Sequence, residues 1–187
     1  MKRFVIIFVL QLMLLCSICA CSNSTTCEAF EIMSEGSFSI VLSLESDRLV
    51  YAQHEGAVVL CEIDENGNLD SEELLLTKNG AYVLNTVDGT YSPYVSTDIN
   101  YNWLFFQKND YTFKAKELSN GTETFVYKRG NALLSYVYRS GVLSEIRYSP
   151  NTGYANDYTI RPQVISITAE RDPNLLFEVP SGFTLSD

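Results

Sequence analysis

The feature that most constrains the fold is a series of short apolar runs that alternate with polar residues and are separated by turn pairs. In SFSIVLSL, residues 37–44, the side chains of Phe38, Ile40 and Leu42 fall on one face of an extended chain. This period of two is typical of a β-strand with one buried face. Pairs of the kind that close β-hairpins separate these runs: Asn66-Gly67, Asn79-Gly80, Asp88-Gly89, Asn120-Gly121, Gly130-Asn131 and Ser140-Gly141.

The number of runs predicts about eleven or twelve strands. The last two are expected in QVISITAE, residues 163–170, and LLFEVP, residues 175–180. The connections are too short for crossover helices, so the strands are expected to pair antiparallel. Because one large, twisted sheet tends to curl, the sequence predicts a mainly-β fold built on a single curved antiparallel sheet.

Two segments have helical character. CEAFEIMSEG, residues 27–36, predicts a short helix that Gly36 ends. The second segment follows Pro93, where the alternation breaks. Asp98 could cap a short helix within residues 98–106, and a packed loop is equally compatible with this segment. One or two short helices are therefore expected beside the sheet.

The N-terminus has the pattern of an export signal. Lys2 and Arg3 are followed by an apolar run from Phe4 to Leu15. This run is shorter than the roughly 20 apolar residues that span a bilayer, and its basic start is typical of a secretory signal peptide. We expect residues 1–20 to be a signal peptide that is removed during export.

The end of that segment, Ile18-Cys19-Ala20-Cys21, resembles the lipobox of bacterial lipoprotein precursors. The resemblance implies cleavage after Ala20 and attachment of diacylglycerol to the sulfur of Cys21. Two or three acyl chains, at ~0.8 kcal/mol per buried methylene, anchor a protein stably to a bilayer. We therefore expect a lipid-anchored protein on the extracytoplasmic face of the cell membrane, in which residues 21–35 provide the lipidated cysteine, a tether and the short helix.

The acidic composition argues against several classes of partner. The formal net charge is −10, and loss of Lys2 and Arg3 with the signal peptide makes it −12, because every acidic residue lies beyond Ala20. Surfaces that bind nucleic acid are normally basic, so no nucleic-acid partner is expected. An electrostatic attraction to anionic lipid is disfavoured for the same reason, which leaves the acyl chains as the membrane anchor.

The sequence offers little catalytic or metal-binding chemistry. It has one histidine, His54, next to a predicted turn, and no Gly-x-Ser-x-Gly nucleophile motif. DENGNLDSEELL, residues 64–75, has the acidic spacing of a calcium loop, but Leu69 replaces its glycine and Leu75 its bidentate glutamate. We expect a protein that is not an enzyme and that uses neither a cofactor nor a metal.

The five cysteines divide into three groups. Cys16 and Cys19 are expected to leave with the signal peptide, whereas Cys21 becomes the lipid attachment point. For Cys27 and Cys61 two alternatives remain open. An oxidising exterior permits a disulfide between them, and two free or buried thiols are equally compatible with their positions.

Several stretches of the chain follow one another in a recognisable order. The lipobox, tether and short helix precede a strand expected at the sheet edge, and then come TKNGAYVLNTVDGTYSPY, GTETFVYKRGNALLSYVYRSGVLSEIRYS and NLLFEVPSGF. This order resembles the lipoprotein-carrier superfamily, whose members include periplasmic carriers and outer-membrane receptors of lipoprotein sorting and Gram-positive envelope lipoproteins such as a spore-germination lipoprotein. The resemblance covers residues 37–185. It implies that residues 36–187 form an incomplete β-barrel, or half-barrel, whose apolar concave face is partly covered by helices and holds an acyl chain.

The chain is rich in aromatic residues, with twelve tyrosines and ten phenylalanines. A curved sheet with little helix to cover it leaves apolar surface that must meet a ligand or a partner. We expect a hydrophobic ligand, such as a lipid or acyl chain, or a client protein on the concave face. The alternative is an interaction lipoprotein that docks or regulates a cell-envelope enzyme with no ligand in its cavity. The candidate ligand-binding residues are Phe38, Ile40, Leu42, Tyr82, Phe125, Tyr127, Tyr136 and Tyr138.

Overall fold

A computed structural model describes residues 24–94, 106–150 and 159–186 of the chain. Within these ranges it contains one open sheet of twelve strands and one α-helix. The predicted mainly-β class with a curved sheet and a minor helix is confirmed. The predicted signal peptide, Cys21 and most of the possible helix after Asp98 lie outside the described residues.

The helix α1 spans Glu28–Ser34, and a single 3-10 turn spans Lys108–Asp110. The strands are β1 Phe38–Leu44, β2 Asp47–His54, β3 Ala57–Ile63, β4 Leu69–Thr77, β5 Gly80–Asn85, β6 Thr90–Pro93, β7 Thr112–Ser119, β8 Thr122–Arg129, β9 Ala132–Arg139, β10 Val142–Ser149, β11 Gln163–Thr168 and β12 Thr184–Leu185. No helix among the described residues is both long and apolar enough to cross a membrane.

Turn chemistry produces the hairpins at the predicted places. At Asn120-Gly121 the two φ angles are 49° and 74°, and at Ser140-Gly141 they are 52° and 79°. Two successive positive φ angles give a turn whose twist matches that of the flanking strands. These turns join β7 to β8 and β9 to β10 in antiparallel register.

The strand order is β12-β6-β5-β4-β3-β2-β1-β11-β10-β9-β8-β7. The expectation of an edge position for β1 is wrong, because this strand pairs with β2 on one side and with β11 on the other. The expectation of a wholly antiparallel sheet is also wrong at one place. β12 runs parallel to β6, with Thr184 opposite Thr90.

The predicted strand in LLFEVP does not form. Instead, residues 175–183 cross one face of the sheet, where Leu175 and Phe177 are buried against side chains of β2 to β5. The backbone N–H of Leu176 donates to the carboxylate of Glu73 at 3.0 Å rather than to a neighbouring strand. Burial of the apolar side chains and this side-chain contact stabilise a path across the sheet instead of a position within it.

The two faces of the sheet carry separate apolar clusters. We call the face under α1 the inner face and the face under residues 175–183 the outer face. The inner cluster includes Phe30 and Met33 of α1 together with aromatic side chains of β8 and β9. The outer cluster includes Val59 of β3 and Leu75 of β4. The sheet is therefore covered on its two faces by different segments of the chain.

Candidate functional site

Tyrosine hydroxyls of the sheet fix the N-terminus of α1. Its N-cap residue, Cys27, makes no side-chain capping hydrogen bond. The Cys27 N–H donates to the Tyr127 hydroxyl at 3.2 Å, and the Ala29 N–H donates to the Tyr138 hydroxyl at 3.0 Å. The first amides of a helix have no partner within the helix, so the sheet supplies acceptors that the local sequence lacks. The Tyr127 hydroxyl in turn donates to the Thr25 carbonyl at 3.1 Å.

Aromatic packing joins the rest of α1 to the inner face. The Phe30 ring stacks on Tyr127 with centroids 4.1 Å apart and an interplanar angle of 1°. The Tyr136 hydroxyl donates to the Met33 sulfur at 3.2 Å. Burial raises the pKa of Tyr127, Tyr136 and Tyr138 well above the usual range, which keeps these hydroxyls neutral at physiological pH. The part of the inner face over β8 and β9 is therefore filled by the protein itself.

A cavity of about 380 Å³ lies beside this filled region. Met33 of α1 forms part of its boundary, and strands from β1 to β4 and from β9 and β10 form much of the rest. None of the described residues that line it is charged. These residues are Met33, Ile40, Leu42, Leu44, Leu49, Tyr51, Leu60, Leu74, Tyr94, Phe106, Tyr111, Leu134, Ile146, Tyr148, Ile160 and Pro162.

The predicted ligand-binding residues divide among three environments. Ile40 and Leu42 line the cavity. Tyr82 lies on the outer face, where its ring meets Tyr91 with centroids 6.1 Å apart, and so it is remote from the cavity. The remaining predicted residues belong to the inner cluster, and α1 and its neighbours bury them: Phe38, Phe125, Tyr127, Tyr136 and Tyr138.

The sequence pattern did not reveal Leu60 and Leu74, which line the cavity from β3 and β4. These strands are apolar on both faces, since Val59 and Leu75 are buried in the outer cluster. Alternation therefore gave no sign of which leucines face inward. Tyr111 and Ile160 lie outside the strands of the sheet, so alternation along a strand does not indicate which way they face.

His54 contacts Ser37, whose hydroxyl lies 2.7 Å from Nδ1. Its Nε2 lies 3.9 Å from a carboxylate oxygen of Glu55, a side chain that is 86% exposed. In hydrolase triads a buried acid orients the imidazole and the serine bonds to Nε2, so this arrangement lacks both features. The His54 ring also packs against Phe177, with centroids 5.4 Å apart, so it is partly enclosed although it lies next to a turn.

Cys27 and Cys61 are both buried and both free. They belong to the inner and the outer cluster respectively, so the sheet separates them. Of the two alternatives left open by the sequence, the structure has the free thiols. Burial and, secondarily, the nearby Glu73 raise the pKa of Cys61 to about 11, and burial raises that of Cys27 as well.

Among the described residues, no group of three or more His, Cys, Asp or Glu side chains is arranged to hold a metal ion. No model of a known protein family matches the chain, and no curated protein is significantly similar to it.

Proposed function

We propose that the protein is a membrane-anchored extracytoplasmic lipoprotein, not an enzyme, that binds a hydrophobic ligand such as the acyl chain of a lipid on the inner face of its sheet. The observation that supports this proposal is the apolar cavity of about 380 Å³. Ligand pockets commonly measure ~300–1,000 Å³ and are lined mainly by hydrophobic and aromatic side chains. A client protein that inserts an apolar side chain there is a variant of the same proposal.

The chemistry of the lining favours hydrocarbon. An apolar cavity of ~150 Å³ stays dry and takes up benzene, and this cavity is more than twice that size. Each methylene that leaves water contributes ~0.8 kcal/mol. A charged group would gain no ion pair from the uncharged described residues of the lining and would lose its hydration.

The cavity reaches the surface beside Leu44 and Tyr94. Both residues line it, yet Leu44 is 40% exposed and Tyr94 is 37% exposed. A hydrocarbon chain that entered beside one of these exposed side chains would leave a polar headgroup in solvent. This arrangement suits an amphiphile better than a compact, wholly buried molecule.

The proposed anchor would hold the cavity near the bilayer. Cys21 precedes Thr25 by four residues, a distance of at most ~14 Å along an extended chain. The carbonyl of Thr25 is fixed to the sheet through Tyr127. An acylated Cys21 would therefore keep the inner face within a short distance of lipid headgroups.

Ligand uptake can be tested with purified protein and the neutral fluorescent probe N-phenylnaphthylamine, displaced by palmitate. Leu60→Phe would put a larger side chain into the lining and narrow the cavity, and it should weaken probe binding severalfold. Leu69→Phe is the matched control, because Leu69 packs against the outer cluster, and it should bind like the wild type. Absence of uptake by the wild type, or equal binding by the two variants, would remove the ligand-binding proposal.

Anchoring has a separate test. A Cys21→Ala precursor should stay unprocessed and incorporate no radiolabelled palmitate, whereas a Cys19→Ala precursor should be processed and labelled. Normal labelling of the Cys21→Ala precursor would overturn the assignment of the lipid attachment point.

The second candidate is an interaction lipoprotein that docks or regulates a cell-envelope enzyme without a ligand. It is favoured by the part of the inner face where four of the predicted contacts are buried in one cluster with α1: Phe125, Tyr127, Tyr136 and Tyr138. Under this alternative the probe titration fails, while crosslinking in intact cells captures one defined envelope enzyme. Capture should persist in the Leu60→Phe variant, because the cavity would play no part.

A further inference from the structure

Gln53 makes a two-point contact with the backbone of Phe106. Its Nε2 donates to the Phe106 carbonyl at 3.0 Å, and the Phe106 N–H donates to its Oε1 at 2.8 Å. The side chain is almost completely buried, at 6% exposure. A single side-chain amide thus satisfies both backbone groups of one residue, as a neighbouring strand would do in a sheet.

Phe106 needs such a partner because it crosses the inner face outside any strand. Its side chain is 4% exposed and meets Phe30 at 5.4 Å and Phe38 at 6.3 Å, both edge-on. Leaving a buried backbone N–H or C=O without a hydrogen bond costs free energy. Gln53 removes this cost at the place where the backbone meets the aromatic cluster.

The segment that begins at Phe106 is also held in place at its other end, around Asp110 and Tyr111. The Arg129 guanidinium donates to Asp110 at 2.6 Å and lies 5.5 Å from the centre of the Tyr111 ring. Tyr111 stacks on Phe106 with centroids 4.9 Å apart. Since Phe106 and Tyr111 both line the cavity, residues 106–111 form one of its walls, which we call the aromatic wall.

We propose that Gln53 is a positioning residue that holds the aromatic wall in place and thereby sets the chain length of the hydrocarbon that the cavity accepts. This inference rests on the proposed function. Gln53 itself does not line the cavity, so it would act through Phe106. Loosening the wall would enlarge the space beside Ile40 and Tyr51 without changing the chemistry of the lining.

The test compares Gln53→Leu with wild-type protein. Leucine keeps the apolar stem and removes both hydrogen bonds. N-phenylnaphthylamine is displaced in turn by octanoate, laurate and palmitate, and the amide exchange of Phe106 is followed by hydrogen–deuterium exchange. The wild type should prefer one chain length. Gln53→Leu should bind that acid at least tenfold more weakly, flatten or shift the preference, and lose protection at Phe106.

Glu73→Leu supplies the matched control. Glu73 is also buried, at 1% exposure, and also binds a backbone N–H, that of Leu176, but on the outer face. It should leave the chain-length preference unchanged. An equal change in both variants would mean that general destabilisation, not the wall, alters binding, and would overturn the inference.

The remaining outcomes are also decisive. Unchanged preference and unchanged Phe106 exchange in Gln53→Leu would refute the positioning role. If Gln53→Leu does not fold, Gln53→Glu keeps an acceptor for the Phe106 N–H while losing the donor, and a wild-type preference in that variant would count against the inference. If the wild type takes up no acid, the proposed function and ligand selection fail together, whereas Phe106 exchange still decides whether Gln53 holds the wall.

Discussion

Replacing Tyr127 by Phe should destabilise the fold through the loss of one hydroxyl. The substitution removes the acceptor of the Cys27 N–H and the donor to the Thr25 carbonyl. The ring itself remains, so its stacking on Phe30 at 4.1 Å is retained. The experiment therefore isolates polar contacts from aromatic packing at the start of α1.

The expected magnitude follows from the burial of the amide. Cys27 is 5% exposed, so its N–H would be left without water, at a cost of about 1–3 kcal/mol. The bond to Thr25 is only partly buried and contributes less, about 0.5–1.5 kcal/mol. We expect Tyr127→Phe to lower the free energy of unfolding by about 2 kcal/mol. Tyr138→Phe, which loses the contact to Ala29, should lower it by slightly less.

Urea unfolding measures these changes directly. The midpoint should fall in Tyr127→Phe while the dependence on urea concentration stays the same, which indicates a change in stability rather than in the unfolded state. Tyr82→Phe on the outer face is the control and should stay within about 0.5 kcal/mol of the wild type. A Tyr127→Phe protein as stable as Tyr82→Phe would refute the assignment of the hydroxyl as a helix cap.

Three further outcomes are expected. Burial raises the pKa of four tyrosines, Tyr51, Tyr127, Tyr136 and Tyr138, so the stability that their neutral hydroxyls give the fold is complete below about pH 10 and is lost as pH rises through the folded-state pKa values. Tyrosinate absorbance should therefore appear together with unfolding. Gradual ionisation of the folded protein would contradict this. Burial and Asp172 raise the pKa of Glu73, so the ionised carboxylate destabilises the folded state increasingly as pH rises above about 4.3, the usual glutamate value. Glu73→Gln should therefore increase resistance to urea at pH 7 and lose that advantage in acid. An equal advantage at both pH values would refute the argument. Cys27 and Cys61 are buried free thiols, so both should resist Ellman's reagent in native protein and both should react in urea. Two thiols that stay unreactive in urea would indicate a disulfide between them and contradict this.

The hairpins were predictable because their information is local. A turn such as Asn120-Gly121 specifies positive φ values wherever it occurs, and the apolar alternation beside it specifies a strand. The pairing of β1 with β11 was not predictable in this way, since it joins residues that lie far apart in the sequence, such as Ser39 and Thr168. LLFEVP was predicted as a strand because its local pattern suits one, and the outer face that attracts Leu175 and Phe177 is assembled from β2 to β5.

The candidate site shows the same division between local and distant information. Aromatic residues of β8 and β9 were expected to meet a ligand because a sheet with little helix leaves apolar surface bare. Seven residues of α1 cover part of that surface, because tyrosine hydroxyls supply the caps that its own sequence lacks.

The cavity lies between the part of the inner face that α1 covers and the aromatic wall. No sequence pattern indicates the role of Gln53, because a glutamine near the end of a strand is ordinarily a solvent-facing residue. Its role depends on a backbone more than fifty residues away. The features that could select a ligand therefore depend on contacts between residues far apart in the sequence. Substitutions at Gln53 and Leu60 discriminate between a ligand-binding cavity and an apolar surface that serves only to pack the fold.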